Sequence, residues 1–230
     1  MQDKIVLITG GSKGIGRACV MEFLNEGYTV VDASRTNVPV NNPNYNYRET
    51  DVSSEESIKR LFDFVIEKFG RLDVLINNAG ISKFANLSDS LTEDFDAMFA
   101  VNVRGVYLCA RYALKLMIPQ NSGDIINIAS IAGKTAIQTA SIYCATKHAV
   151  MAISKTLMLE VRKHNIRVAA ICPGSVDTDF FNQPGSILNS ERSSILSPAD
   201  VSAACMLIVK SPVRALINEI ELRPTNPKKI

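Results

Sequence analysis

The chain has 230 residues, 47% of them hydrophobic and 21% charged, which is ordinary usage for a globular domain and too apolar for a disordered one. Its 25 basic and 23 acidic residues leave a formal charge of +2. With no basic block beyond Lys228-Lys229, that balance argues against nucleic acid or an anionic membrane surface as partner. The longest stretches free of Asp, Glu, Lys and Arg, Thr36–Tyr47 and Thr135–Thr146, have 12 residues each, short of the roughly 20 that a spanning helix needs.

The chain starts Met-Gln-Asp-Lys before a short apolar run, without the basic start and long apolar centre of a secretion signal, so a cytoplasmic location is expected. The five cysteines (Cys19, Cys109, Cys144, Cys172, Cys205) are odd in number and never spaced Cys-x-x-Cys. They are expected to be buried, reduced thiols, and no metal site is expected from them or from His148 and His164.

In chain order, short β-branched runs predict strands at Lys4–Thr9, Tyr28–Ser34, Tyr45–Thr50, Leu72–Asn77, Asp124–Ala129, Arg167–Cys172 and Leu216–Leu222. Helical periodicity falls between them, at about 14–26, 54–69, 92–118, 142–165 and 198–210. This βα alternation predicts one α/β domain over 1–230, a Rossmann-type doubly wound parallel sheet of seven strands with helices on both faces. Two places break the rhythm. Arg35–Asn44 is mostly Asn, Pro and Val and holds no credible helix. Ser175–Ser197 is loop-like around Phe180-Phe181 and Ile187-Leu188; its apolar residues need something to cover, which predicts a mobile lid over a pocket.

The first strand runs into Thr9-Gly10-Gly11-Ser12-Lys13-Gly14-Ile15-Gly16 and directly on into a helix. Glycines at a strand-to-helix turn allow backbone to approach a pyrophosphate, and the helix N-terminus attracts the anion. The spacing Gly-x-x-x-Gly-x-Gly departs from the general dinucleotide pattern Gly-x-Gly-x-x-Gly, and the absence of a Gly-Lys-Ser/Thr ending argues against an NTPase loop.

At these residues the chain resembles the short-chain dehydrogenase/reductase family, whose glycine motif is Thr-Gly-x-x-x-Gly-x-Gly. The same order continues with Asn77-Asn78-Ala79-Gly80 after the fourth strand, Asn102 in the next helix, Ser130 after the fifth strand, Tyr143-x-x-x-Lys147, and Pro173-Gly174-x-x-x-Thr178 after the sixth. The resemblance implies a compact NADP(H)-dependent oxidoreductase that moves hydride reversibly between nucleotide and a small carbonyl or alcohol. It implies a catalytic tetrad of Asn102, Ser130, Tyr143 and Lys147: Tyr143 as proton donor, Lys147 holding the ribose hydroxyls, and Asn102 holding a water that links Lys147 to solvent. A 3-oxoacyl-[acyl carrier protein] reductase is the sharper alternative; a non-catalytic NADP(H)-sensing module and a nucleotide-recycling epimerase or dehydratase are further ones.

Tyr143 and Lys147 are four apart and share one helix face. A free phenol is only about 0.1% ionised at neutral pH, so Lys147, the helix N-terminus and an oxidised nicotinamide are together expected to lower its pKa. Ser130 is expected to meet charge developing on the substrate oxygen. Gly10, Ser12, Gly14, Ile15 and Gly16 are expected to cradle the nucleotide. The resemblance adds Asp51 and Val52 at the adenine, and Asn78, Ala79, Gly80, Pro173, Gly174, Val176 and Thr178 as further cofactor-binding residues, with Tyr143 and Lys147 among them. Strand register puts Ser34 at the tip of the second strand and Arg35 just past it, with Asp32 deeper on the same face. No acid stands at the tip, so Arg35, with Lys13 as second cation, is expected to select a 2′-phosphate and hence NADP(H). Substrate contacts are expected in 82–85, 131–138 and 175–197. Small residues Ala145, Ala149 and Ala152 make one stripe that serves either the chain's own sheet or another helix, and the resemblance implies that segments 92–118 and 142–165 pair between subunits in a homodimer or homotetramer.

Overall fold

A computed structural model describes residues 4–182 and 190–229. Seven strands form one parallel sheet: β1 (Ile5–Thr9), β2 (Thr29–Ser34), β3 (Tyr45–Glu49), β4 (Val74–Asn77), β5 (Gly123–Ile128), β6 (Ile166–Pro173) and β7 (Glu219–Leu222), in spatial order β3-β2-β1-β4-β5-β6-β7. The chain winds from β1 outward to β3 and then returns to place β4 on the other side of β1. Loops at the carboxyl ends of β1 and β4 therefore diverge and leave a crevice, the usual ligand position in such sheets.

The β1 run Ile-Val-Leu-Ile-Thr is buried throughout, as a central strand covered on both faces must be. Ile5 and Leu7 face α2 (Glu55–Phe69) and α4 (Gly105–Gln120), while Val6 and Ile8 face α1 (Gly14–Asn25) and α6 (Pro198–Lys210). Side chains such as Phe62 and Leu108 fill the first face and Phe23 and Val201 the second. A capping box between Ser197 and Asp200, with Pro198 in the first turn, starts α6.

The segment expected as one helix over 92–118 is α3 (Thr92–Phe99), a π-helical turn at Ala100–Arg104, and α4. The wider turn carries Asn102, whose buried side chain bonds outside the helix. The next helix, α5 (Ser141–Val161), ends in a tighter turn at Arg162–His164. As expected, no helix forms between β2 and β3. Among the described residues no helix is long and apolar enough to cross a membrane, and all five cysteines are buried free thiols.

Candidate active site

The glycine loop is knotted to the loop after β4. Thr9 Oγ1 accepts from the Asn78 and Ala79 amides at 3.0 Å, and Asn78 Nδ2 donates to the Thr9 and Gly10 carbonyls at 2.9 and 3.1 Å. Gly16 lies so close beneath this knot that a Cβ there would run into the Gly10 carbonyl and the Asn78 amide. Helix α1 opens at Gly14 with no side chain capping it, so the first-turn N–H groups face an anion directly. A cradle that excludes side chains, on an uncapped helix N-terminus in the crevice, fits a dinucleotide pyrophosphate. Ser12 and Ile15 are half-buried beside it. Thr9 is missing from the residues expected at the site, although its place before the first glycine was the signal.

At the β2 tip, Ser34 is buried with its hydroxyl donating to the Thr36 carbonyl at 3.1 Å, and Arg35 is exposed. Asp51 accepts from the Ser53 amide and hydroxyl at 2.9 and 2.7 Å, bonds that together with the nearby Arg35 hold its carboxyl below the usual range. Val52 packs beneath the start of α4 at Gly105. Lys13 stands 3.3 Å from Asp179 in an exposed ion pair, a partner 166 residues away that its expected role beside a phosphate did not include.

Ser130, Tyr143 and Lys147 converge where β5 meets α5. Ser130 Oγ accepts from the Ala132 amide at 3.1 Å, and its hydrogen bond to Tyr143 favours the phenolate. Lys147 is buried, its Nζ 5.7 Å from the centre of the Tyr143 ring and donating to the Ile128 carbonyl at 2.9 Å. Gly80 lies above that ammonium: a Cβ on it would stand 3.8 Å from Lys147 Nζ. Asn102 Oδ1 accepts from the Ile81 amide, and its Nδ2 donates to the Ile81 carbonyl and to Thr146 Oγ1, at 2.8, 2.8 and 3.2 Å. Its amide thus pins the loop after Gly80 to α5. Neither Thr146 nor Ile81 was among the expected residues.

The expected lowering of the Tyr143 pKa is not what the protein's own groups produce. Burial pushes Tyr143 up, with Ser130 opposing it only in part. Burial also lowers Lys147 to about 8. The physical reason is burial of both groups: Phe180 and Phe84 close over the phenol, with ring centres 5.4 and 6.0 Å away, and desolvation of Tyr143 outweighs the Ser130 hydrogen bond.

Phe180 is the covering apolar residue that the 175–197 reading called for. That segment is clipped at its base, Val176 pairing with Leu196 and Arg192 donating to Asp177, the Thr178 carbonyl and Asn182; residues 183–189, including Ile187 and Leu188, lie outside those described. Thr178 reaches the glycine loop, its Cγ2 standing 3.3 Å from where a Gly14 side chain would begin, and the amide of Gly174, just past Pro173 at the end of β6, donates to the carbonyl of Leu222 at the end of β7. Beyond Phe84 lies a cavity of about 180 Å³ lined by Lys83, Leu87, Ser90, Met98 and Ile142 among others. Cys144 and Cys172 flank the site without a histidine partner; burial raises Cys172 to about 11, which leaves it a thiol.

The short chain dehydrogenase model matches residues 4–186. Sepiapterin reductase of Chlorobaculum tepidum is 32% identical over 238 residues, covering 96% of each protein. Among solved structures, ElxO with NADP bound is 32% identical with a TM-score of 0.88, covering 96% of this chain and 97% of that one. The 3-ketoacyl-(acyl-carrier-protein) reductase of Brucella melitensis, complexed with NADH, is 27% identical with a TM-score of 0.89 and the same coverage. With its glycine cradle, its Ser130-Tyr143-Lys147 corner and these likenesses over nearly its full length, the chain belongs to the short-chain dehydrogenase family and is an NAD(P)-dependent oxidoreductase.

Proposed function

We propose that the protein uses NADPH to reduce a small ketone or aldehyde to the alcohol, reversibly. The observation that carries this reading is the convergence of Ser130, Tyr143 and Lys147 in one buried corner beside the glycine cradle. Bound there, the nucleotide supplies or accepts hydride. Gly10, Ser12, Gly14, Ile15 and Gly16 would hold its pyrophosphate, Asp51 and Val52 would border its adenine, and Asn78, Ala79, Gly80, Pro173, Gly174, Val176 and Thr178 would complete the nucleotide site, with Gly80 over the Lys147 ammonium.

Tyr143 gives its proton to the carbonyl oxygen, and its raised pKa keeps that proton available throughout the neutral range. Ser130 Oγ accepts from the Ala132 amide, and its hydroxyl, beside Tyr143, is placed to donate to the substrate oxygen as charge develops there. Lys147 binds the ribose and favours the phenolate that follows proton transfer. Asn102 keeps the loop after Gly80 against α5 and so preserves the space between nucleotide and phenol. Phe180 and Phe84 exclude water from that space.

The preference for the phosphorylated nucleotide rests on Arg35, an exposed guanidinium one residue past a strand tip that carries no acid. The likeness to a 3-ketoacyl reductase favours a 3-oxoacyl thioester as second substrate class. Unpaired cysteines suit the cytoplasm. Ala145, Ala152 and Leu159 form an exposed stripe on α5 that the chain's own sheet leaves uncovered, which supports a homodimer or homotetramer; light scattering at micromolar protein would return a single-chain mass if that is wrong. The test of the activity is NADPH oxidation against a panel of ketones, aldehydes and a 3-oxoacyl thioester. Consumption with one class is expected, and no consumption with any overturns the reading.

A further inference from the structure

Asp32 is a costly residue to have where it stands. It lies on β2, fully buried, on the face that carries Val30 and faces α1. Its Oδ1 has no hydrogen-bond partner, and its Cγ lies 2.6 Å from where a Gly11 side chain would begin. A buried carboxylate with an unpaired oxygen destabilises a fold unless something else requires it. Besides Ser34 on its own strand and the Gly11 amide, its partner is Tyr45 on β3, whose hydroxyl donates to Oδ2 at 2.9 Å. Register makes this contact: Val30 pairs with Tyr45, so the phenol leans along the sheet toward the residue two places on.

The same hydroxyl lies 3.3 Å from the Val38 carbonyl, and Arg17 of α1 donates to the Val38 and Pro39 carbonyls at 2.7 and 3.4 Å. Asp32, Tyr45 and Arg17 therefore grip the middle of the helix-free crossover between β2 and β3. That crossover begins at Arg35. A connection without a helix has no backbone ladder of its own to keep its shape, so these side chains define its path.

We propose that the Asp32–Tyr45 pair, with Arg17, is a specificity device that holds the 36–44 crossover in the path that presents Arg35 to a 2′-phosphate. The inference rests on the reading of Arg35 given above. Asp32 and Tyr45 touch no nucleotide; they are positioning residues. Releasing the crossover lowers the fraction of molecules with Arg35 in place, and NADPH affinity falls by that fraction. NADH lacks the phosphate and loses nothing.

The test is the dissociation constant of each nucleotide, together with amide hydrogen exchange over 36–44, for wild type, Tyr45→Phe and Asp32→Asn. In Tyr45→Phe, NADPH binding is expected to weaken about ten-fold with NADH unchanged, and the 36–44 amides to exchange faster. Asp32→Asn keeps an acceptor for the phenol and is expected to retain the NADPH preference. Should Tyr45→Phe fail to fold because Asp32 is left alone, the double variant Asp32→Leu, Tyr45→Phe removes both polar groups together and is expected to give the same selective loss. Equal weakening of both nucleotides, or exchange over 36–44 unchanged by the loss of the hydroxyl, overturns the proposal. A wild type that binds NADPH and NADH equally overturns the Arg35 reading instead, whatever the exchange rates report.

Discussion

Adding one methyl group at Gly16 tests whether the glycine loop is the nucleotide cradle. A Cβ at Gly16 would stand 2.8 Å from the Gly10 carbonyl carbon and closer still to its oxygen and to Asn78 Nδ2. Carbon atoms in contact prefer roughly 3.5–4.0 Å, so the Gly10 peptide must retreat by about 1 Å. That movement breaks the Asn78 bonds to Thr9 and Gly10, at 2.9 and 3.1 Å. Overpacking costs about 1–3 kcal/mol, and the two hydrogen bonds add about 1 kcal/mol each. If most of this must be restored to bind nucleotide, Gly16→Ala weakens NADPH by about a hundred-fold or more. Gly27 provides the control: it has φ +81° and nothing within 4 Å of an added Cβ. Gly27→Ala should therefore lower stability by about 1–2 kcal/mol through backbone strain and leave nucleotide affinity alone. Calorimetric titration with NADPH, paired with urea unfolding, separates the two. Affinity in Gly16→Ala within about two-fold of wild type, or an equal loss in Gly27→Ala, would refute the assignment of the cradle.

Arg35→Ala is expected to weaken NADPH by about ten- to a hundred-fold and spare NADH, measured as dissociation constants, because charge-assisted hydrogen bonds contribute about 1.5–3 kcal/mol; Ser34→Asp should act in the opposite sense by placing an acid at the strand tip. Arg167 holds the buried Asp124 through both oxygens at 2.6 and 2.8 Å, so Arg167→Met leaves that carboxylate alone and should cost about 3–5 kcal/mol by urea unfolding, a loss under about 1 kcal/mol refuting the role. Lys147, at about 8, carries its charge below that pH and loses it above, so kcat/KM for reduction should fall as pH rises through 8, and a flat profile would contradict this. Stability moves the other way: the unfolded chain binds more protons between about 8 and the ordinary lysine value of 10.5, so the Lys147 contribution to stability increases with pH across that window.

The seven strands were legible because strands buried on both faces read as unbroken β-branched runs, as Ile5–Thr9 does. The glycine spacing marked the cradle, and the Asn and Pro content of Arg35–Asn44 marked the missing helix. What was not legible depends on closure in three dimensions. Periodicity over 92–118 is helical throughout, and the π turn at Asn102 shows only in its hydrogen bonding. Asp32 read as a deeper residue on the face of Ser34, but its meeting with Tyr45 follows from the pairing register of β2 with β3, which spacing alone does not give. The opposed pKa shifts of Tyr143 and Lys147 come from burial of both groups, for Tyr143 under Phe84 and Phe180, contacts no spacing rule encodes.

The central claim is that Tyr143 is the proton donor in a site whose nucleotide cradle is built separately from the glycine loop. Tyr143→Phe keeps the ring that packs against Phe84 and Phe180 and deletes only the hydroxyl. The decisive measurement is single-turnover reduction by this variant with NADPH bound, alongside its NADPH dissociation constant. The account predicts a dissociation constant close to that of wild type and a rate lower by about 10²–10⁴-fold. Near-normal turnover with NADPH tightly bound would contradict it.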